Sequence, residues 1–167
     1  MKPLHAPWRI NYILTPKKAP EDGRSIFTQI AESKDDEKNL VFARESHCFA
    51  LLNTYPYNGG HIMVVPYRQL PDLIDLNDEE LINIMRLTQK CRRLLSDVMN
   101  PDGFNIGINI GQVAGAGIVE HLHLHIVPRW SGDTNFMPVI GDVSVVPQAL
   151  QELADQLRVA YQKMSEL

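Results

Sequence analysis

Residues 121–129 read His-Leu-His-Leu-His-Ile-Val-Pro-Arg, three histidines alternating with aliphatic residues and an arginine just beyond. Extended backbone sends successive side chains to opposite faces. The spacing predicts a strand over residues 120–128, with His121, His123 and His125 on one face and Leu122 and Leu124 on the other. A helix would scatter the same rings around its axis and bury some of them. The chain must therefore build a sheet that presents three titratable rings together.

Other segments supply the rest of that sheet and its cover. Runs at residues 39–44, 48–53 and 60–66 are rich in Val, Ile, Leu and Phe and are separated by turn residues, so they read as strands. Residues 104–110 alternate as another. The clearest helix starts at Leu76-Asn77-Asp78-Glu79-Glu80, where an N-cap precedes a glutamate three residues on. Leu81, Ile84, Met85, Thr88, Cys91, Leu95 and Val98 then mark one helical face, and Asn100-Pro101-Asp102-Gly103 ends it. A second amphipathic helix is expected over residues 147–163, with Leu150, Leu153, Leu157 and Tyr161 inward. Residues 25–31 read as a short helix capped by Ser25 or Gly23. Lys34 to Lys38 form a charged, solvated turn.

Strands joined by short turns, with one helix crossing between them, point to an α+β domain with a largely antiparallel five-stranded sheet. At 167 residues the chain suits a single domain. Residues 1–24 form an N-terminal arm, 25–140 the core and 141–167 a C-terminal helical segment. Trp8 is expected to anchor the arm by packing rather than to contact a ligand, and Pro16 to Arg24 to connect it to the body.

Composition narrows the function classes. A net charge of −4 argues against broad nucleic-acid binding, which wants a basic surface. Cys48 and Cys91 are too few and too far apart for a disulfide framework or a four-cysteine zinc site, and read as reduced, buried thiols. The first residues lack the apolar core of a signal peptide, and no apolar run approaches membrane-spanning length. A cytoplasmic protein is expected, without nucleic acid or membrane as partner.

The histidine row admits three readings. It can be an ordinary polar strand face, although such faces usually carry Thr, Lys or Glu. It can be a metal site, since His-x-His brings two imidazoles within reach of one ion. Three such residues, however, span roughly 13 Å between outer Cα atoms, so convergence on one tetrahedral ion needs strong bending. Third, a central imidazole can attack phosphorus and later leave, splitting one hard displacement into two easier ones. Two features favour phosphate. The loop Val113-Ala114-Gly115-Ala116-Gly117 is small enough for backbone N–H groups to approach an anion, and His61, after Gly59-Gly60, offers a fourth ring.

The run His121 to Val127 resembles the motif of the histidine-triad (HIT) family of nucleotide hydrolases and transferases. Residues 49–53 and 60–66 are similar to that family's earlier strand pair. Ala6-Pro7-Trp8-Arg9 and residues 128–136 resemble a bacterial branch similar to diadenosine tetraphosphate phosphorylases.

The resemblance implies that His123 attacks an α-phosphate of a dinucleoside polyphosphate and forms a nucleotidyl-histidine, with water or inorganic phosphate as acceptor. It implies that His121 and His125 hold the phosphate and the leaving group, supported by His61. Asn53 falls where the family binds ribose, and Ile26, Phe27 and Leu51 where the base is sandwiched. Asn109, Gly115, Ala116, Gly117 and Ile118 would line the phosphate path. Arg129 either contacts a distal phosphate, with Trp130 beside it, or pairs with a surface carboxylate. A homodimer is implied, with paired sheets and the Leu81–Val98 helix near the interface.

Two departures stand out. Many relatives carry Cys-x-x-Cys where this chain has Ser25 and Thr28, so no structural zinc, and no cofactor, is expected. A Gln-Ser or Gln-Thr pair of several hydrolases is replaced by Gly117 and Ile118, so leaving-group handling must differ. The alternatives are a purine nucleoside phosphoramidate hydrolase and a nucleotide-binding module with little catalysis.

Overall fold

A computed structural model describes residues 23–33, 35–133 and 149–165. The aromatic arm with Trp8, most of the connector, Lys34 and residues 134–148 lie outside the described residues. Among those described, the order is α1 (Ile26–Glu32), β1 (Val41–Arg44), β2 (Cys48–Leu52), β3 (Ile62–Pro66), a 3-10 turn (Leu73–Asp75), α2 (Asp78–Met99), β4 (Gly103–Ile108), a second 3-10 turn (Gln112–Ala114), β5 (Leu124–Arg129) and α3 (Leu150–Ser165). The strands form one antiparallel sheet in the order β1-β2-β3-β5-β4. The expected α+β architecture is present.

Strand alternation divides the sheet into two faces with different work. Ala50, Leu52, Ile62, Val64, Leu124 and Ile126 face α2 and α3, meeting Ile84, Leu87, Leu94, Leu95, Leu153 and Leu157. Full burial of each such side chain contributes about 1.5–3 kcal/mol, so this is the main stabilising layer. Phe49, Leu51, Met63 and Val65 point to the other face, where Phe27 of α1 covers them. The histidines emerge on this second face, which among the described residues is covered by the short helix α1 and by Tyr67 and Ile118.

The long helix begins as its sequence predicts. Asn77 accepts from the Glu80 N–H, and the Glu80 carboxylate accepts from the Asn77 N–H, closing a capping box. Its buried stripe differs from expectation. Ile84, Leu87, Thr88, Cys91, Leu94 and Leu95 are buried, whereas Leu81 and Met85 are 41% and 47% exposed. The buried stripe is rotated toward Leu87 and Leu94. Leu81 and Met85 instead line a shallow apolar recess with Leu73, Leu76 and Leu122.

Strand bounds also shift. β1 begins at Val41 because residues 35–39 form a turn closed by bonds from Asn39 N–H to Asp35 O and from Leu40 N–H to Glu37 O. The larger change is at the histidines: β5 starts at Leu124, so His121 and His123 lie on the extended approach to the strand and only His125 is within it. The ladder between β3 and β5 covers Ile62 to Val64 alone. Beyond it Pro66 has no N–H to give, and its carbonyl is taken by the His121 ring at 2.9 Å. The alternation of faces nonetheless persists through the approach segment, with Leu122 in the apolar recess and the histidines opposite.

Candidate active site

The site grows from a tight turn. Gly60 has φ of +76°, and a Cβ there would lie 2.6 Å from Met99 Sδ and 3.0 Å from Pro128 Cγ. Only glycine fits so close to the end of α2 and to β5 in that backbone conformation. The next residue, His61, is fully buried, and its carbonyl accepts from the Asn53 N–H at 2.8 Å.

Around His61 the proton positions follow from the donors. Tyr57 N–H donates to His61 Nδ1 at 3.1 Å, and a backbone N–H can do nothing else. A neutral His61 therefore carries its proton on Nε2, which donates to His125 Nδ1 at 2.9 Å. His125 in turn holds its proton on Nε2. The Tyr57 ring stacks on His61 with centroids 4.8 Å apart and meets His125 edge-on at 5.9 Å. Asn53 sits beside the pair: its Nδ2 is 3.4 Å from His61 Nδ1, and its Oδ1 accepts from Tyr55 N–H at 2.9 Å.

The central ring is fixed in the opposite sense. His123 Nδ1 lies 2.8 Å from the carbonyl oxygen of His121, which can only accept. The proton of neutral His123 is thus on Nδ1, and Nε2 carries the lone pair. The ring is 4% exposed. It lies 5.1 Å from the Phe27 centroid and 4.8 Å from that of His125. An imidazole held by its Nδ1–H with its other nitrogen basic is the arrangement a nucleophile needs.

His121 departs from the role the resemblance implies. Its Nε2–H donates to Pro66 O, and its Nδ1 accepts from Ser25 Oγ at 2.5 Å. No ring nitrogen remains to hold a phosphate, so what His121 offers the site is its carbonyl. Burial pushes its pKa down, against an opposing pull from the Pro66 carbonyl.

Phe27 and Leu51 are buried in the apolar layer beneath the histidines, and Phe27 walls the rings of His121 and His123. Ile26, by contrast, is 47% exposed. In the small-residue loop, Gly115 N–H donates to Gln112 O and Ala116 N–H to Gly111 O, so these two donors close the loop itself. Asn109 approaches Gly115, its Nδ2 3.7 Å from the position of a Cβ. Gly117 is partly buried, and Ile118 packs on the Phe27 layer.

Among the described residues, Arg129 pairs with a carboxylate. Its guanidinium donates to both oxygens of Asp133 at 2.6 and 2.8 Å and to Asn105 Oδ1 at 2.9 Å. Trp130 N–H donates to the same carboxylate, so Trp130 opens a turn closed by Asp133.

Gly107, Tyr57 and Gln69 escaped the sequence reading. Gly107 pairs with His125 across the ladder, and a Cβ there meets nothing within 4 Å among the described residues. A glycine inside a strand was the available signal, since it marks places where another group approaches closely. Tyr57 acts through its backbone, which no side-chain pattern reveals. Gln69 lies 41 residues from Thr28 and bonds it at 2.9 Å.

Ser25, Thr28, Gln69 and His121 converge, but hydroxyls and an amide bonded to one another are a poor zinc set beside thiolates and free imidazoles. Cys48 and Cys91 are buried in the core, and burial raises the Cys48 thiol pKa to about 12. Among the described residues no group of three or more His, Cys, Asp or Glu is placed to hold a metal.

A family model described as the HIT domain matches residues 34–132. The chain belongs to the histidine-triad family. Among HIT relatives, the AP-4-A phosphorylase of Mycobacterium tuberculosis is 46% identical over 154 residues, covering 89% of this chain and 78% of that protein. The asymmetrical bis(5'-nucleosyl)-tetraphosphatase of Schizosaccharomyces pombe is 35% identical over 63% of this chain and 57% of its own. A zinc-bound HIT protein of Mycobacterium smegmatis superposes with a TM-score of 0.68 at 26% identity, covering 84% of this chain and 95% of that one. HIT membership, with relatives that process dinucleoside polyphosphates, makes a nucleotide-processing enzyme the coarse assignment. No described helix is long and apolar enough to cross a membrane.

Proposed function

We propose that the protein cleaves an α-phosphate bond of a dinucleoside polyphosphate, such as diadenosine tetraphosphate, through a nucleotidyl-His123. The observation that carries this reading is the 2.8 Å bond from His123 Nδ1–H to the His121 carbonyl, which puts the lone pair on Nε2. In the first displacement Nε2 bonds to the α-phosphorus as the P–O bond to the remaining polyphosphate breaks. In the second, the acceptor's oxygen bonds to phosphorus, the P–N bond breaks and His123 is regenerated. The bond to the His121 carbonyl spreads the positive charge that His123 gains between the two steps.

His125, with its proton on Nε2, is a donor for phosphate or leaving-group oxygens, held in that tautomer by His61. The exposed Ile26 and the open space over Gly107 are where base and phosphate chain would lie. Arg129 is committed to Asp133, so its contribution is to shape the turn carrying Trp130. Similarity to a phosphorylase along 89% of the chain supports inorganic phosphate as acceptor. Incubation with diadenosine tetraphosphate tests this: ATP plus ADP, dependent on phosphate, is expected, whereas ATP plus AMP independent of phosphate means water is the acceptor.

The reading includes a homodimer. Among the described residues β4 is the last strand of the sheet and bears Ile106, 47% exposed, and Ile74, Leu81, Ile82 and Met85 are exposed on and just before α2. An open edge and unburied aliphatic residues both favour pairing with a second copy. Light scattering on the purified protein measures the state, with a dimer expected.

A further inference from the structure

Beneath the histidines lies a polar knot, buried at Ser25 and His121, in which the donor of each bond can be assigned. His121 Nε2–H goes to Pro66 O, so His121 Nδ1 must accept, and Ser25 Oγ–H donates to it at 2.5 Å. Ser25 Oγ also accepts from Thr28 N–H at 3.1 Å, which makes it the N-cap of α1. Thr28 Oγ1–H and Ser25 N–H both donate to Gln69 Oε1, at 2.9 and 2.8 Å, and Gln69 Nε2 donates to Gly23 O at 3.0 Å. Ser25 and His121 are both fully buried. A buried network of this kind is costly unless complete, and here its donors and acceptors match.

One end of the network is the His121 ring; three covalent bonds away, through Cβ and Cα, is the His121 carbonyl that receives the His123 proton. The ring is anchored at both nitrogens and its N–H neighbour Leu122 is tied to Leu70 O at 2.7 Å, so the peptide carrying that carbonyl has little freedom. The same knot seats α1, whose Phe27 packs on both rings.

We propose that Ser25, Thr28 and Gln69 are positioning residues that act through His121 to hold His123 in its Nδ1–H tautomer with Nε2 directed at phosphorus. The inference rests on His123 being the nucleophile, and it adds residues that touch neither substrate nor phosphate. Displacing a reacting group by about 1 Å lowers rate by as much as 100-fold while leaving binding groups in place.

The test pairs kinetics with imidazole 15N spectra of the free protein. Ser25→Ala is expected to lower kcat by about 10- to 100-fold with KM within about twofold of the parent. The His123 resonances should shift from a single Nδ1–H form to a mixture of tautomers. Thr28→Val keeps the shape but removes the hydroxyl and should lose about tenfold in kcat, with Thr28→Ser restoring both rate and spectrum. The valine–serine pair carries the test should Ser25→Ala fail to fold. Folded variants with parental kcat overturn the proposal, as does a loss of kcat with an unchanged His123 spectrum. The spectra need no substrate, so they stand even if no nucleotidyl-enzyme forms, in which case the parent reading fails instead.

Discussion

His61 Nε2 and His125 Nδ1 lie 2.9 Å apart, and Tyr57 N–H at His61 Nδ1 decides which of them donates. A backbone amide thus sets the tautomer of a ring two hydrogen bonds away. The consequence is an array with opposite polarities: His123 keeps its proton on Nδ1 and His125 on Nε2. One ring is made a nucleophile and its neighbour a donor, although both stand on the same face of one segment.

Removing His61 should therefore damage catalysis without damaging the nucleophile. His61→Ala removes the donor that holds His125 in its Nε2–H tautomer, and kcat should fall about 100-fold. Nucleotidyl-enzyme should still form at a reduced rate in a rapid-quench experiment, because His123 retains its own anchor at His121.

Gly107 faces His125 across the ladder, and no described residue fills the place where a side chain would be. Gly107→Val should fill that space and lower kcat/KM by about tenfold or more. The fold should tolerate it, since a β-branched residue suits a strand better than glycine by up to about 1 kcal/mol. An unchanged or higher melting temperature beside lost activity is the expected pair of results.

Gly60 should behave in the opposite way. Its positive φ and the 2.6 Å approach of Met99 Sδ leave no room for a methyl group. Gly60→Ala should lower stability by about 1–3 kcal/mol in urea unfolding, and activity should drop with it because His61 follows directly.

Glu80 offers a stability prediction with a defined pH window. The Arg68 guanidinium, followed by the Asn77 N–H, holds its carboxyl well below the usual range, at about 2. A carboxyl whose pKa is lowered by folding stabilises the native state above its unfolded pKa, and the contribution vanishes as pH falls through the folded value. The loss should run from about pH 4.5 down to 2. In Glu80→Gln that segment of the stability–pH curve should flatten, and the parent's advantage at pH 7 should equal the change seen across it.

Much of this was legible because periodicity and caps are local. Alternation at residues 121–125 placed the rings on one face, and Asn77 with Glu80 gave the start of α2. What sequence could not reach was contact between distant segments. Pro66 terminates the β3–β5 ladder, which moved His121 and His123 out of the strand. Gln69 meets Ser25 and Thr28 only through the fold, so the resemblance left His121 a phosphate ligand when its ring was already spent. Arg129 instead pairs with Asp133 only four residues on, a local contact that side-chain spacing alone does not single out.

The central claim is covalent attack by His123, and trapping the intermediate tests it most directly. Wild-type protein quenched early in turnover of labelled diadenosine tetraphosphate, then digested under alkaline conditions, should carry an adenylyl group on the peptide containing His123. His123→Ala should show neither adduct nor turnover above about 10⁻³ of the parent. Parental turnover by His123→Ala, or a fully active enzyme that never carries the adduct, would contradict the account.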